Sequence, residues 1–211
     1  ATFASVLRTS AAGIEGIAPA DAVALLPLAS DPTTPADVLD RLAVMSWGDL
    51  PLRVAHNPSA RAEALERLVH AASSPTPEHQ EIRTAVAAHE NTNLATLEVL
   101  AGDEDVWVRS MVARRQPGHP ALLKRLADDT EWFVRREVAI NPDTPAATLT
   151  RFSSSEDAET RTWLARNESA PIAVLERLLL DQAPSVRAAA AENPSAEECD
   201  EWVWVEHALL G

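Results

Sequence analysis

The chain has 211 residues, 46% of them hydrophobic and 24% charged, which is typical of a folded globular protein and excludes a disordered one. Its formal net charge of −14 disfavours nucleic acid as a partner, because neutralising a phosphate backbone requires clustered Lys and Arg. The single cysteine, Cys199, permits neither an internal disulfide nor a thiolate metal cluster, and the cytoplasm is the expected compartment.

Residues 1–27 precede the repeats described below and are predicted to cap the first of them. One Arg stands before Ala11 and no apolar core follows it, so no signal peptide is expected. The longest apolar stretch, from Ala22 to Ala29, is far shorter than the roughly 20 residues that cross a bilayer, and we expect no membrane association. The 17 Arg, single Lys and absent Tyr suggest a GC-rich bacterial genome.

Residues 28–196 repeat themselves every 26 residues. One column holds alanine throughout, with a single longer interval of 32 residues, at Ala29, Ala55, Ala87, Ala113, Ala139, Ala165 and Ala191. An apolar residue precedes each alanine, and two leucine-rich columns three residues apart follow it, a spacing that marks one face of a helix. Proline stands three residues after four of the alanines, directly after Asp or Asn. Each unit is therefore predicted to be a helix, an Asn-Pro turn and a second helix.

The starts of these helices are predicted from two further columns. A threonine hydroxyl before a proline at the first helical position would cap the second helix, at Thr34-Pro35 and Thr144-Pro145. An aspartate would cap the first helix, at Asp103, Asp129 and Asp181, with Ser155 in the same column.

The alanine column predicts that helices of successive units cross at close range, where a larger side chain would hold the backbones apart. Such units stabilise one another, so the end units need caps. Residues 197–211 are predicted to form a C-terminal capping helix in which Trp202 and Trp204 supply bulk. The longer interval carries six extra residues near 73–78, which we expect to form a polar loop.

The segment Phe133-Val134-Arg135 to Val138-Ala139-Ile140-Asn141-Pro142-Asp143-Thr144-Pro145, with Leu149 after it, resembles the leucine-rich repeat variant family. Trp107-Val108-Arg109 to Val112-Ala113 repeats part of the pattern, and the broader HEAT-like superfamily is similar. The resemblance implies an all-α, right-handed α-solenoid of about seven units, in which α-helices alternate with shorter 3₁₀-type helices. It implies no activity. Some family members carry a cysteine-rich iron-sulfur segment, which Cys199 alone cannot supply, so no cofactor is expected.

A column of arginines follows the same period, at Arg83, Arg109, Arg135, Arg161 and Arg187. It could form an anion-binding stripe. It could instead be a structural ladder, because an acid stands four residues before three of them, a spacing that brings side chains together on a helix: Asp105, Glu131 and Asp157. We favour the structural interpretation.

Three aromatic residues stand at the starts of neighbouring first helices, where other units hold polar or small residues: Trp107, Trp132 and Phe133. Arginines surround them in the sequence, at Arg109, Arg114, Arg115, Arg135 and Arg136. Aromatic and guanidinium groups dominate interface hot spots, so we predict a partner-binding site here. Local filling of the core is the alternative interpretation.

These observations favour a non-catalytic scaffold that binds another protein, whose identity and stoichiometry the sequence does not give. The six histidines form no i, i+4 pair, and neither a Ser-His-Asp set nor a glycine-rich phosphate loop is present, so no metal or enzymatic site is predicted. A first alternative is a HEAT-like DNA-binding protein or glycosylase, with Trp107, Trp132 and either Asp105 or Glu131 as its candidates. A second is a passive structural module of a larger protein.

Overall fold

The computed structural model describes residues 22–210, and every regular element in that range is helical, which confirms the predicted all-helical repeat. Residues 1–21 of the predicted N-terminal cap lie outside the described part. The α-helices are α1 (Ala22–Ser30), α2 (Ala36–Leu42), α3 (Leu50–Ala55), α4 (Ala62–Ala71), α5 (Pro77–Ala88), α6 (Leu94–Leu100), α7 (Val106–Arg114), α8 (Pro120–Leu126), α9 (Trp132–Ile140), α10 (Ala146–Phe152), α11 (Ala158–Ala165), α12 (Ile172–Leu179), α13 (Pro184–Ala191) and α14 (Glu201–Leu210).

The odd-numbered helices from α1 to α13 carry the alanine column, and the even-numbered helices from α2 to α12 carry the leucine columns. These second helices are α-helical, each seven to ten residues long. Among the described elements, the 3₁₀ conformation that the family resemblance implies for them is found only at Pro194–Glu198, which follows α13. The predicted C-terminal capping segment contains α14, which packs on α12.

Contacts divide the described part of the chain into two compact halves, the first ending at Val108 and the second beginning at Arg109. In the first half, α3 packs between α1 and α5, and α4 packs on α5. In the second half, α11 packs between α9 and α13, and α12 packs on α13. Within each half, the odd-numbered helices of successive repeat units therefore stack directly on one another.

The alanine column lies where these first helices meet. Six of its seven members are at most 1% exposed: Ala29, Ala55, Ala87, Ala113, Ala139 and Ala165. Ala191 is partly exposed, since no further first helix of the described chain stacks on α13. The leucine columns are also buried, including Leu39, Leu65, Leu97, Leu123, Leu149 and Leu175. Burial of these side chains against the neighbouring unit is the main favourable term in such a stack.

Buried asparagines tie four of the repeat units to the unit before them. They are Asn57, Asn141, Asn167 and Asn193. In each, Nδ2 donates at 2.7–3.0 Å to two carbonyls of the previous repeat unit, that of the column alanine and that of the residue two positions after it. The Oδ1 atom of each accepts an N–H of its own turn. These bonds satisfy carbonyls that the ends of the helices leave open. We name this set the asparagine ladder.

The turn after α5 departs from the ladder. His89 occupies the asparagine position there, and its Nε2 lies 2.9 Å from the Asn57 carbonyl oxygen. Asn91, two residues later, donates to the carbonyls of Pro58 and Ala60. The contact between successive units is therefore kept, but it is shared between two side chains.

The prediction that Thr34 and Thr144 cap the second helices is wrong. Each hydroxyl donates at 2.6 Å to the carbonyl six residues earlier, that of Leu28 or Val138. The bond therefore stabilises the turn between the two helices of the repeat unit and does not cap the second helix. The N-cap positions are taken by the prolines that follow, and α2 and α10 begin one residue later than predicted.

The six-residue insertion is only partly a loop. Thr76 is the N-cap of α5, and its hydroxyl oxygen accepts the His79 N–H at 3.4 Å. Pro77 and Glu78, predicted as loop, are instead the first two residues of this helix. Proline suits that position because the first helical N–H has no partner within the helix.

Candidate functional site

The arginine column forms inter-unit ion pairs. Arg83, Arg109 and Arg161 each place Nε 2.7 Å from a carboxylate oxygen of the aspartate 20 residues later, respectively Asp103, Asp129 and Asp181. The prediction that these aspartates are N-caps is therefore wrong for α9 and α13, which are capped at Glu131 and Ala183. Asp129 and Asp181 instead accept the N–H two residues later and the guanidinium of the preceding unit.

The acids four residues before the arginines do not make these hydrogen bonds. At Arg161, Nη1 donates to the carbonyls of Ser155 and Glu156, while Nε and Nη2 donate to Asp181. Asp157, predicted as its partner, is the N-cap of α11 and accepts from Thr160. We call each pair of an arginine and the later aspartate an arginine clamp.

The clamps at Asp129 and Asp181 favour the ionised form of the carboxylate. At Asp129 and at Asp181 burial alone would raise the pKa, but hydrogen bonds from the clamp arginine and from a backbone N–H outweigh it, and the pKa of each is lowered. The hydrogen bonds that Arg161 donates to Asp181 raise the pKa of Arg161 despite burial. Arg109, a predicted partner-binding residue, is therefore engaged within the fold.

A cluster of rings and guanidinium groups lies on α9 and α11, in the second half of the chain. The rings of Trp132 and Phe133 meet edge to face, with centroids 5.7 Å apart. The Arg136 guanidinium lies 5.6 Å from the Phe133 centroid and 4.5 Å from that of Trp163, and Arg166 lies 5.5 Å from the Trp163 centroid. We call these five residues the aromatic–arginine cluster.

Helical spacing and stacking bring the cluster together. Trp132 and Phe133 precede Arg136 by four and three residues on α9, so the three side chains share one side of that helix. Trp163 is on α11, which packs on α9, and Arg166 is the C-cap of α11. Two guanidinium groups therefore lie near the Trp163 ring, each within the distance at which cation–π attraction contributes about 0.5–2 kcal/mol.

The cluster is partly open to solvent. Trp132 is 53% exposed and Arg166 is exposed, while Phe133, Arg136 and Trp163 are partly buried. Among residues 22–210, no hydrogen-bond acceptor meets the shielded Trp163 Nε1–H or Arg136 Nε–H, although the Glu137 carboxylate lies 3.9 Å from Arg136 Nε. Shielded donors without acceptors are uncommon in folded proteins.

Sequence reasoning found three of the five cluster residues and missed Trp163 and Arg166. Trp163 lies mid-helix, 26 residues after Glu137, so comparison restricted to helix starts does not detect it. The signal that could have found it is the size of its side chain, because the equivalent residue of the next repeat unit is Ala189. Trp132 was identified in the same way, by a tryptophan in a column that holds polar or small residues in other units.

The other predicted site residues have separate surroundings. Trp107, in the first half of the chain, is 54% exposed at the start of α7. Arg135 donates through Nη1 to the carbonyls of Asp129 and Thr130. Arg114 lines a shallow pocket in the second half of the chain, and Arg115 is partly exposed in the turn after α7.

The acids proposed for a glycosylase have structural contacts. Asp105 Oδ1 accepts the N–H groups of Trp107 and Val108 at 2.8 and 3.3 Å, which places it as a helix cap. Glu131 is the exposed N-cap residue of α9. Within residues 22–210 no group of three His, Cys, Asp or Glu side chains is arranged to hold a metal ion. In the same range, no helix has the length and apolar character required to traverse a bilayer.

Comparisons with known proteins identify solved structures that are similar to this chain. No family model matches the sequence, and no curated protein matches it. Four chains of solved structures match, one of which is described as "a leucine-rich repeat variant with a novel repetitive protein structural motif". It is 22% identical, the match covers 89% of this chain and 94% of that one, and the TM-score is 0.44.

Proposed function

We propose that this chain is a non-catalytic scaffold that binds another protein through the aromatic–arginine cluster. The observation that carries the proposal is the half-exposed indole of Trp132 beside the partly open stack of Arg136, Trp163 and Arg166. Tryptophan and arginine are the side chains most enriched at the energetic centres of protein interfaces. The single cysteine favours the cytoplasm as the compartment.

The exposed part of Trp132 is large enough to anchor a partner. A tryptophan buries about 200 Å², so the 53% that is exposed corresponds to about 100 Å². Removing that area from water contributes about 2.5 kcal/mol to binding. The guanidinium groups of Arg136 and Arg166 add donors that suit carboxylate or carbonyl acceptors on the partner.

The proposal is tested by capture of a partner and measurement of its affinity. Wild-type chain and a Trp132→Ala variant are used as baits in matched extracts, and the Kd of the captured protein is then measured by calorimetry. Trp202→Ala is the matched control, because Trp202 is 55% exposed but lies on α14, outside the cluster. We expect Trp132→Ala to weaken binding tenfold or more and Trp202→Ala to leave it unchanged. Equal affinity for wild type and Trp132→Ala contradicts the proposed site.

A duplex DNA titration separates the scaffold from the glycosylase-like alternative. Binding to nucleic acid through arginines falls steeply with added salt, because counterions are released on association. For a protein-binding scaffold we expect no saturable duplex binding at low ionic strength. Salt-sensitive binding that is lost in Trp132→Ala would assign the cluster to DNA and overturn the proposal.

A further inference from the structure

The arginine column contains one member whose ion-pairing edge is open. In Arg135, Arg161 and Arg187 the Nη1 group donates to the two carbonyls five and six residues earlier, so all three guanidinium groups are anchored in the same way. In Arg161 the opposite edge, Nε and Nη2, then meets both carboxylate oxygens of Asp181, at 2.7 and 2.9 Å. Arg109 makes the same two-point contact with Asp129, at 2.7 and 3.0 Å.

At Arg135 the residue 20 positions later is Ser155. Within residues 22–210, neither Nε nor Nη2 of Arg135 has a hydrogen-bond acceptor in the protein. Arg187 also lacks an aspartate at that position, but its Nη2 donates to the Leu210 carbonyl at 2.9 Å. Because Nη1 anchors Arg135 as it anchors Arg161, the repeat places the Nε and Nη2 edge of Arg135 on the side of Ser155, the counterpart of Asp181.

Ser155 performs only one of the two tasks of the clamp aspartates. Its Oγ accepts the Asp157 N–H at 3.3 Å, as Asp181 Oδ1 accepts the Ala183 N–H at 2.8 Å. A serine has one side-chain oxygen where an aspartate has two. The oxygen that would meet the guanidinium in the other clamps is missing here, together with its charge.

We propose that Arg135 and Ser155 form a binding site for a phosphate-type oxyanion, present either as free phosphate or as a phosphoryl group on Ser155 itself. A guanidinium fork matches two oxygens of such a group, and the same fork already grips a carboxylate in the neighbouring clamps. Ser155 is partly exposed, so its hydroxyl is accessible for modification. This site goes beyond the proposed function and uses no residue of the aromatic–arginine cluster.

In the esterified case the reaction is a phosphoryl transfer from a nucleoside triphosphate by a protein kinase. A bond forms between Ser155 Oγ and the terminal phosphorus, the hydroxyl proton leaves to a base, and the nucleoside diphosphate departs. The product carries a charge of about −2 at neutral pH, which restores more than the charge of the missing aspartate.

Two carboxylates near Arg135 bear on the affinity of the site. Asp129 is held by Arg109 and the Glu131 N–H, and Asp157 is held by Thr160 and the Glu159 N–H. Both acids already have donors of their own, so neither needs the open edge of Arg135. Their charges still repel an incoming anion, and we expect free phosphate to bind in the millimolar range, equivalent to about 4 kcal/mol.

The test follows the Nε–H signal of Arg135 by ¹⁵N NMR during a titration with inorganic phosphate. We expect a saturable shift in the wild-type chain, with the signal of Arg83, whose clamp contains neither Arg135 nor Ser155, constant as the internal reference. Ser155→Asp fills the site, so the Arg135 signal should be shifted at the outset and insensitive to phosphate. The same substitution should raise the Tm by about 2–4 °C, and Arg135→Gln should abolish that gain.

A second arm places phosphoserine at position 155 by genetic encoding, in the wild-type and Arg135→Gln backgrounds. A saturable response to inorganic phosphate assigns the site to the free ion. No such response, together with a Tm gain from phosphoserine that requires Arg135, assigns it to the esterified group. If neither occurs, or if Ser155→Asp raises the Tm equally in Arg135→Gln, Ser155 is only a turn residue and the proposal is overturned.

Discussion

Replacing Asn167 by alanine tests whether the asparagine ladder holds successive units together. Asn167 is 1% exposed, and its Nδ2 donates to the carbonyls of Ala139 and Asn141 at 2.8 and 2.9 Å. Its Oδ1 accepts the Ser169 N–H at 2.8 Å. The substitution removes all three bonds at once and leaves two carbonyls and one N–H without that partner in a buried setting.

The expected loss follows from these contacts. A typical intramolecular hydrogen bond contributes about 1 kcal/mol net, and a buried group left without a partner costs about 1–3 kcal/mol. Three bonds therefore predict a fall in the free energy of unfolding of at least about 3 kcal/mol. Asn93→Ala is the chemically matched control, because the exposed Asn93 side chain caps α6 through one bond, to the Thr96 N–H, which is worth about 1 kcal/mol.

Urea unfolding followed by circular dichroism measures both variants, and hydrogen exchange of the Ser169 amide reports the local effect. We expect Asn167→Ala to shift the unfolding midpoint about three times as far as Asn93→Ala and to expose the Ser169 amide to exchange. Equal shifts for the two variants, with Ser169 still protected, would refute the idea that the ladder stabilises the stack.

Two further predictions concern the clamps and the alanine column. Asp181→Asn should lower the free energy of unfolding by about 3 kcal/mol at neutral pH, because it leaves the buried Arg161 without its counter-charge. Since the pKa of Asp181 is lower in the folded state, its contribution is complete above the unfolded pKa and is lost as the pH falls through the folded pKa. The difference between wild type and variant in urea should therefore shrink with acid, and a difference independent of pH would contradict the clamp. Ala139→Leu should destabilise the chain by about 1–3 kcal/mol in thermal unfolding, whereas Leu at the exposed Ala147 should have little effect.

The sequence predicts the helices well because their signals are periodic and local. Alanine and leucine columns locate the buried faces, and the helices fall where those columns place them. The cap assignments failed at Thr34 and Thr144 because a threonine hydroxyl can either accept from the following turn or donate to the preceding one. Sequence alone does not distinguish these uses, since both place threonine before a helix.

The candidate site was predicted less completely because its contacts join different units. Asp157 stands four residues before Arg161 in the sequence, but the hydrogen-bonded acid is Asp181, in the next unit. Finding that partner requires the geometry of stacking as well as the period. Trp163 was missed for a related reason, since only the packing of α11 on α9 brings it to Arg136.

The asparagine ladder also determines how such a chain can lengthen. Each unit of the ladder provides one amide side chain for the unit before it and fresh carbonyls for the unit after it, so Asn141, Asn167 and Asn193 repeat the same pair of contacts. A duplicated segment of 26 residues inherits both halves of the junction and needs no compensating change elsewhere. A segment of any other length has no such match and must be absorbed between helices, as the six extra residues are between α4 and the extended α5.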